Sequence, residues 1–259
     1  MKPFFCLQRT TYGNVILLTP FLQKKEVIDW DNEGIVVEVS SSADASLKET
    51  IQYRLYSAID FAVDSWIQEL KYIPRLINSA ATFLVVYFFL SLVVRDPIPI
   101  IDEMVGSIAA SIGVYLWTAS KNRKSELAMK KRTEMKNLVD ACTYRTEEDL
   151  RVYEDLLKQF DESAPIMLSD KISGNNDQFS SVSLPMNAPQ IHEYLGMFLS
   201  QQEKNKNVID QLAVTLMSGK RRKQLAARLL SQTKSRKIDL PLIALYMITA
   251  GEVNQLRLT

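Results

Sequence analysis

From Leu76 to Val94 the chain runs for nineteen residues without a charge, LINSAATFLVVYFFLSLVV. As a helix rising roughly 1.5 Å per residue, this stretch is about 28 Å long, close to the thickness of the hydrocarbon layer of a bilayer. A helix that is apolar on every side has no face for water, so it belongs in a large core or in lipid. Soluble helices seldom stay uncharged for so long. The few polar members, Asn78, Ser79, Thr82 and Ser91, sit mainly near the ends, and their hydroxyls can bond back to their own helix.

A second, less apolar segment follows from about Ile98 to Ala119, and its charge-free part begins only at Met104. Those sixteen residues reach about 24 Å, which is marginal alone but acceptable beside a strong first span. Tyr115 and Trp117 lie near its far end, where amphipathic rings favour the headgroup level. Between the segments, RDPIP holds Pro97 and Pro99, which break a continuous helix and predict an antiparallel hairpin. Asp102 and Glu103 then fall in the first turn of the second helix, where carboxylates reach water and meet the positive helix end. The sharper reading makes them the acidic mouth of a pore built by several subunits. Gly106 with Ala110, Ala109 with Gly113, and Ser107 with Ser111 are spaced four apart, so they offer small faces for close helix packing within the hairpin or between copies.

The orientation follows from basic residues. Lys121, Arg123, Lys124, Lys130, Lys131, Arg132 and Lys136 follow the second segment against Glu126 and Glu134, and Lys71 and Arg75 precede the first. The turn sets Arg95 against Asp96, Asp102 and Glu103. Cytoplasmic loops are enriched in Lys and Arg, so both termini are expected in the cytoplasm. The start, MKPFFCLQRTTYGN, lacks the apolar run and cleavage site of a signal peptide, and insertion is expected to depend on the internal segments. No transit or retention signal is visible, which weighs toward a bacterial inner membrane.

Elsewhere the chain reads as soluble modules. NVILLT, EVIDW and GIVVEV have the β-branched content of strands. Ser46 and Glu49 match a capping box that starts a long helix, whose apolar face of Leu47, Ile51, Leu55, Ile59, Ala62, Trp66 and Leu70 is expected to lie on the strands. The second span is expected to continue as a charged helix to about Ala141. Thr146 to Asp149 reads as another helix start, leading into Leu150, Tyr153, Leu156, Leu157 and Phe160. The predicted fold is mainly α: a two-helix transmembrane hairpin (73–120) with an N-terminal β/α cytoplasmic element (1–72) and a C-terminal cytoplasmic helical module (191–259). A charged helical extension (121–160) and a Ser-, Asn- and Pro-rich flexible connection (161–190) join them. Within the C-terminal module, helices are predicted over 191–202, 208–217, 221–232 and 240–249, with Gly251 near the last one's end.

The chemistry is sparse. With a net charge of +1, the chain as a whole is neither a polyanion mimic nor a uniformly basic nucleic-acid binder. Cys6 and Cys142 share no metal spacing and cannot make a disulfide scaffold. His192, the sole histidine, reads as a solvated helix-start residue. No phosphate loop or nucleophile elbow appears, and SGKRRK departs from the P-loop pattern around Gly219 and Lys220. No catalytic residue, metal or cofactor is expected. The strongest remaining feature is a run of Lys220, Arg221, Arg222, Lys223 and Arg228, followed by Lys234, Arg236 and Lys237, without an acidic residue. It suits a solvated face or anionic lipid, and nucleic acid less well because stacking aromatics are missing. The expected function is that of a membrane-anchored scaffold or adaptor with a protein partner or further copies of itself. The alternative is an oligomeric pore gated by the cytoplasmic domains, and a membrane-bound enzyme comes third.

Overall fold

The computed structural model describes residues 3–9, 14–20, 34–93, 100–173, 184–201, 205–211, 222–235 and 238–256. The fold is mainly helical with a small mixed sheet near the N-terminus. In chain order the elements are β1 (Phe4–Arg9), β2 (Asn14–Leu18), β3 (Val36–Val39), α1 (Ala45–Leu70), α2 (Tyr72–Val93), α3 (Ile100–Arg123), α4 (Glu126–Asp140), β4 (Thr143–Thr146), α5 (Leu150–Glu162), α6 (Pro165–Ile172), α7 (Ala188–Ser200), α8 (205–211), α9 (Arg222–Lys234) and α10 (Leu240–Leu256). They form two compact units, one drawing on residues 1–23, 31–54 and 140–259, the other on 24–30 and 55–139.

In the first unit the sheet order is β2-β1-β3-β4, with β1 antiparallel to β2 and parallel to β3, and β3 parallel to β4. Residues alternate between faces along a strand. Phe5 and Leu7 pair with Leu18 and Ile16, so these four point to one side. Phe4 and Cys6 pair with Val37 and Val39 on the other. Both faces are buried. A strand covered on both sides needs apolar residues throughout, which explains FFCL.

Phe5, Leu7, Ile16 and Leu18 join a single core with α5, α7, α9 and α10. In α5, Leu150, Tyr153, Leu157 and Phe160 recur at three- and four-residue steps and are all buried. The Tyr153 hydroxyl donates to Asn187 Oδ1 at 2.8 Å, just before α7, and the Phe5 and Tyr194 rings lie 5.4 Å apart. On the opposite face, Lys48 Nζ sits 5.4 Å from the centre of the Tyr144 ring, which brings the first turns of α1 against the sheet as expected.

Arg9 ties this unit together. Its Nε donates to Asp161 Oδ2 at 2.7 Å and its Nη1 to Asp239 Oδ2 at 2.6 Å, while Nη2 closes a second bond to Asp161. Asp161 is fully buried and Arg9 nearly so. Asp239 also accepts the Leu242 N–H at the start of α10. One guanidinium thus fixes β1, the end of α5 and the start of α10.

In the second unit, α1 gives way to α2 at Lys71 alone, and α3 to α4 at Lys124 and Ser125. Arg132 and Lys136 of α4 reach back to α1: Lys136 Nζ lies 2.9 Å from Asp60, Arg132 Nε lies 3.6 Å from it, and Arg132 Nη2 also pairs with Asp64. Leu55, Ile59, Ala62, Val63 and Ile67 of α1, and Ala128, Met135 and Val139 of α4, are buried.

Several expectations are corrected. Asp44, not Ser46, caps α1, its Oδ1 accepting the Leu47 N–H at 2.7 Å. Ser46 is already helical, and its carbonyl accepts from Thr50. The buried face of α1 turns toward Val63 and Ile67, leaving Trp66 half-buried and Leu70 exposed. The charged extension of α3 breaks at Lys124–Ser125, where backbone bonds to Lys121 and Asn122 tighten the turn. Thr146 ends β4 instead of opening a helix, and β1, β4 and α6 were not expected. The α7 helix starts at Ala188, before the predicted Ile191, and α10 runs through Gly251 to Leu256. EVIDW, the RDPIP turn, and most of 208–217 lie outside the described residues.

Among the described helices, Tyr72–Leu92 is long and apolar enough to cross a membrane, and only 11% of it is buried. The α3 helix is not among those that meet the same measure, and it carries Asp102, Glu103, Lys121 and Arg123.

Two predictions follow from the first unit. Asp161→Ala leaves the Arg9 charge without its main partner inside the protein, and the expected loss is about 3 kcal/mol in chemical denaturation. Burial, with the nearby Glu154 charge, pushes the Cys6 thiol up to about 12, against the pull of Arg54. A thiol raised in the folded state stabilises the fold below its ordinary value and withdraws that stability as pH climbs from about 9 toward 12. Native protein should therefore label at the half-exposed Cys142 alone at pH 8, and at both thiols once unfolded, as read by mass spectrometry.

Candidate functional site

The α2 and α3 helices pack antiparallel, with Ser79 facing Ser111, Arg75 facing Tyr115, and Leu90 facing Gly106. At the middle, the two serine hydroxyls lie 2.7 Å apart, and each is 3.0 Å from the other's backbone carbonyl. Four-residue spacing keeps residues on one side of a helix. On α3 that side carries Glu103, Ser107, Ser111 and Tyr115; on α2 it carries Arg75 and Ser79. Arg75, Ser79, Glu103 and Ser107 are all buried.

The outer faces are the reverse. Leu84, Val85, Phe88, Phe89 and Leu92 of α2 are exposed, as are Ile101, Val105, Ile108, Ile112, Leu116 and Trp117 of α3. Leu92 is 80% exposed while Arg75 is 4% exposed. This is a hairpin with polar atoms inside and apolar side chains outside, the inverse of a soluble pair. Hydroxyls that have no cross-helix partner bond back to their own helix: Ser107 to the Glu103 carbonyl at 2.6 Å, Thr82 to Asn78 at 2.8 Å, and Thr118 to Val114 at 2.7 Å.

The ends of this seam are charged. The Arg75 guanidinium lies 4.3 Å from the Tyr115 ring centre, and its Nη1 donates to Gln68 Oε1 at 3.1 Å. Its Nε has no hydrogen-bond partner, and neither has Glu103 Oε1 at the other end. Glu103, one of the two carboxylates predicted at a pore mouth, is turned between the helices and is 4% exposed. Asp102 occupies the preceding position of the same first turn of α3.

The predicted packing residues divide. Gly106 and Ala110 lie toward α2, and a Cβ at Gly106 would come 3.1 Å from Leu90 Cδ1. A side chain there would have to displace Leu90. Ala109 is exposed, and a Cβ at Gly113 would meet nothing within 4 Å. Gly106 with Ala110 and Ser107 with Ser111 thus lie at the seam of the hairpin, while Ala109 with Gly113 does not.

The basic C-terminal cluster is only partly in view. Lys220 and Arg221 lie outside the described residues, and Arg222 and Lys223 begin α9. Arg228 is exposed and donates to Gln211 Oε1 at 2.8 Å. Leu225 and Leu229 of the same helix are buried in the helical core. His192 is half-buried, stacked on Tyr246 with ring centres 4.4 Å apart and with Nδ1 3.0 Å from Thr249 Oγ1, so it joins α7 to α10. Among the described residues, no group of His, Cys, Asp and Glu could hold a metal ion. Sequence reasoning counted Arg75 only as a flanking positive charge and missed its place in the seam. The signal was the four-residue recurrence of Arg75–Ser79 and Glu103–Ser107–Ser111–Tyr115.

Searches with the chain found no matching family model, no matching curated protein and no matching solved structure.

The register is open to test by cross-linking. In a chain lacking Cys6 and Cys142, Ser79→Cys with Ser111→Cys should oxidise to an intramolecular disulfide, seen as a mobility change on a non-reducing gel. Adding Gly106→Leu should slow that closure several-fold by forcing Leu90 outward.

Proposed function

We propose that the chain is an integral membrane protein whose α2–α3 hairpin crosses the bilayer twice, and that it works as a membrane-anchored scaffold or adaptor through cytoplasmic modules. The observation that carries this reading is the inverted hairpin. Large apolar side chains cover its outside, while Arg75, Ser79, Glu103, Ser107 and Ser111 are turned inward. In water, exposing Phe88, Phe89, Leu92, Ile112 and Leu116 along one hairpin would forfeit most of the hydrophobic gain of folding. In lipid the same faces are matched, and polar groups must find partners within the protein. A buried core helix of a soluble protein would not leave α2 so open.

The first span supplies the length, and α3 joins it as a partner whose charges lie at its two ends. The basic residues after α3 favour cytoplasmic termini. The mass outside the hairpin, with its sheet, its helical core and its ion-paired α1–α4 segment, then faces the cytoplasm and is available for protein partners. The oligomeric pore, as a second reading, draws on the unpartnered Glu103 Oε1. The outer faces of both helices are apolar and would not line a water path, so anchoring is the better account.

Expressed in a bacterial cell, the chain should stay in the membrane fraction through an alkaline carbonate wash. In a variant lacking its native thiols, Pro97→Cys should react with an impermeant maleimide from the outside, while a cysteine at Ser163 should react only after the membrane is opened. Labelling at position 97 from the cytoplasmic side alone would end the two-span reading.

A further inference from the structure

We propose that the charged end of the hairpin binds anionic phospholipid headgroups through Lys121 and Lys124, with Trp117 beside them at the edge of the acyl layer. This rests on the membrane reading above and adds a ligand class to it.

The seven basic residues after α3's apolar part are not equivalent once folded. Arg132 and Lys136 are neutralised by Asp60 and Asp64 of α1, and Lys131 lies 3.7 Å from Glu134. Lys121, Arg123, Lys124 and Lys130 are exposed, and among the described residues no carboxylate lies within 4.0 Å of any of them. Lys121 Nζ instead stands 5.4 Å from the centre of the Trp117 ring. A step of four places Trp117 and Lys121 on one side of α3, and Lys124 follows in the turn that ends the helix, its N–H bonded to the Lys121 carbonyl at 3.1 Å. The apolar outer residues Ile108, Ile112 and Leu116 stop where this group starts. Along one helix the surface therefore passes from aliphatic to indole to unneutralised ammonium, which is the order of acyl chain, interface and phosphate in a lipid leaflet.

Nearby, the Arg75–Tyr115 pair holds α2 to α3 at the same end, so the two lysines project from a fixed base. Neighbouring charges of one sign repel one another, and a lipid phosphate between Lys121 and Lys124 would relieve that repulsion while bonding to both ammonium groups. A membrane surface offers such phosphates at the depth that Trp117 sets.

The test uses the full chain in nanodiscs made with equal amounts of phosphatidylcholine and phosphatidylglycerol, followed by native mass spectrometry of the lipids retained. Wild-type protein should retain phosphatidylglycerol in preference. Lys121→Gln with Lys124→Gln should weaken that preference roughly thirty-fold, the product of two exposed surface cations. Lys158→Gln, on α5, should leave it unchanged. A chain that washes out of membranes in carbonate removes the membrane reading itself. A chain that stays inserted but holds both lipids equally, or holds phosphatidylglycerol as well after the double substitution, overturns this inference alone.

Discussion

The reciprocal hydroxyl contact between Ser79 and Ser111 is the point on which the hairpin turns. On the proposed membrane reading, two helices meeting in lipid gain nothing from excluding water, since the acyl chains around them are as apolar as their side chains. What holds them is close approach and internal hydrogen bonding. Gly106 and Ala110 supply the first by removing bulk opposite Leu90, and the two serines supply the second. Because α2 and α3 are antiparallel, fixing 79 against 111 also fixes 75 against 115, one turn away on each helix. The cation–π contact at one end and the buried carboxylate at the other follow from that register. An arginine stacked on a tyrosine ring keeps its charge near polarizable density when hydrogen-bond partners are few.

The α1 helix carries a different constraint, because it serves both compact units. Its buried residues step by four from Leu47 through Ile51, Leu55, Ile59 and Val63 to Ile67. Each step of four overshoots a full turn by about 40°, so the stripe winds around the helix. A helix with one partner keeps its apolar face straight by mixing steps of three and four. The drift on α1 is what a helix needs when it begins against a sheet and ends beside another helix. It explains why Trp66 and Leu70, aligned with Leu55 and Ile59 on a wheel, are not in the core.

Much of this could be read from residue order, and the rest could not, for identifiable reasons. The uncharged run from Leu76 to Val94 announces its helix, and the strands at 14–18 and 36–39 are rich in β-branched residues. The β1 strand is hidden because FFCL is buried on both faces and does not alternate. The β4 strand is hidden because TYRT is short and mostly polar, and its pairing with β3 joins residues more than a hundred positions apart. The contact of Arg9 with Asp161 and Asp239 is long-range in the same way. No local pattern distinguishes those carboxylates from their neighbours. The seam was closer to legible. Glu103, Ser107, Ser111 and Tyr115 recur every four residues, but attention to the helix ends assigned Glu103 to the water side. Its environment is set by α2, which lies opposite the whole stripe.

Ion pairing also changes what the basic residues mean. Counted in sequence, the stretch after the apolar part of α3 carries seven cations, all weighing equally toward a cytoplasmic location. In the fold, Arg132 and Lys136 are answered by Asp60 and Asp64, and Lys131 by Glu134, so their field at a distance is small. The charges that a membrane surface would feel are those left uncompensated close to the apolar layer, chiefly Lys121 and Lys124, since exposed charges fade within about a Debye length, about 8 Å at physiological salt. On the proposed reading, orientation is therefore set by one turn of helix beside Trp117, and the more distant cations hold α4 to α1. On that reading a single lysine-rich run does two separate jobs, divided by where the acidic residues of α1 stop.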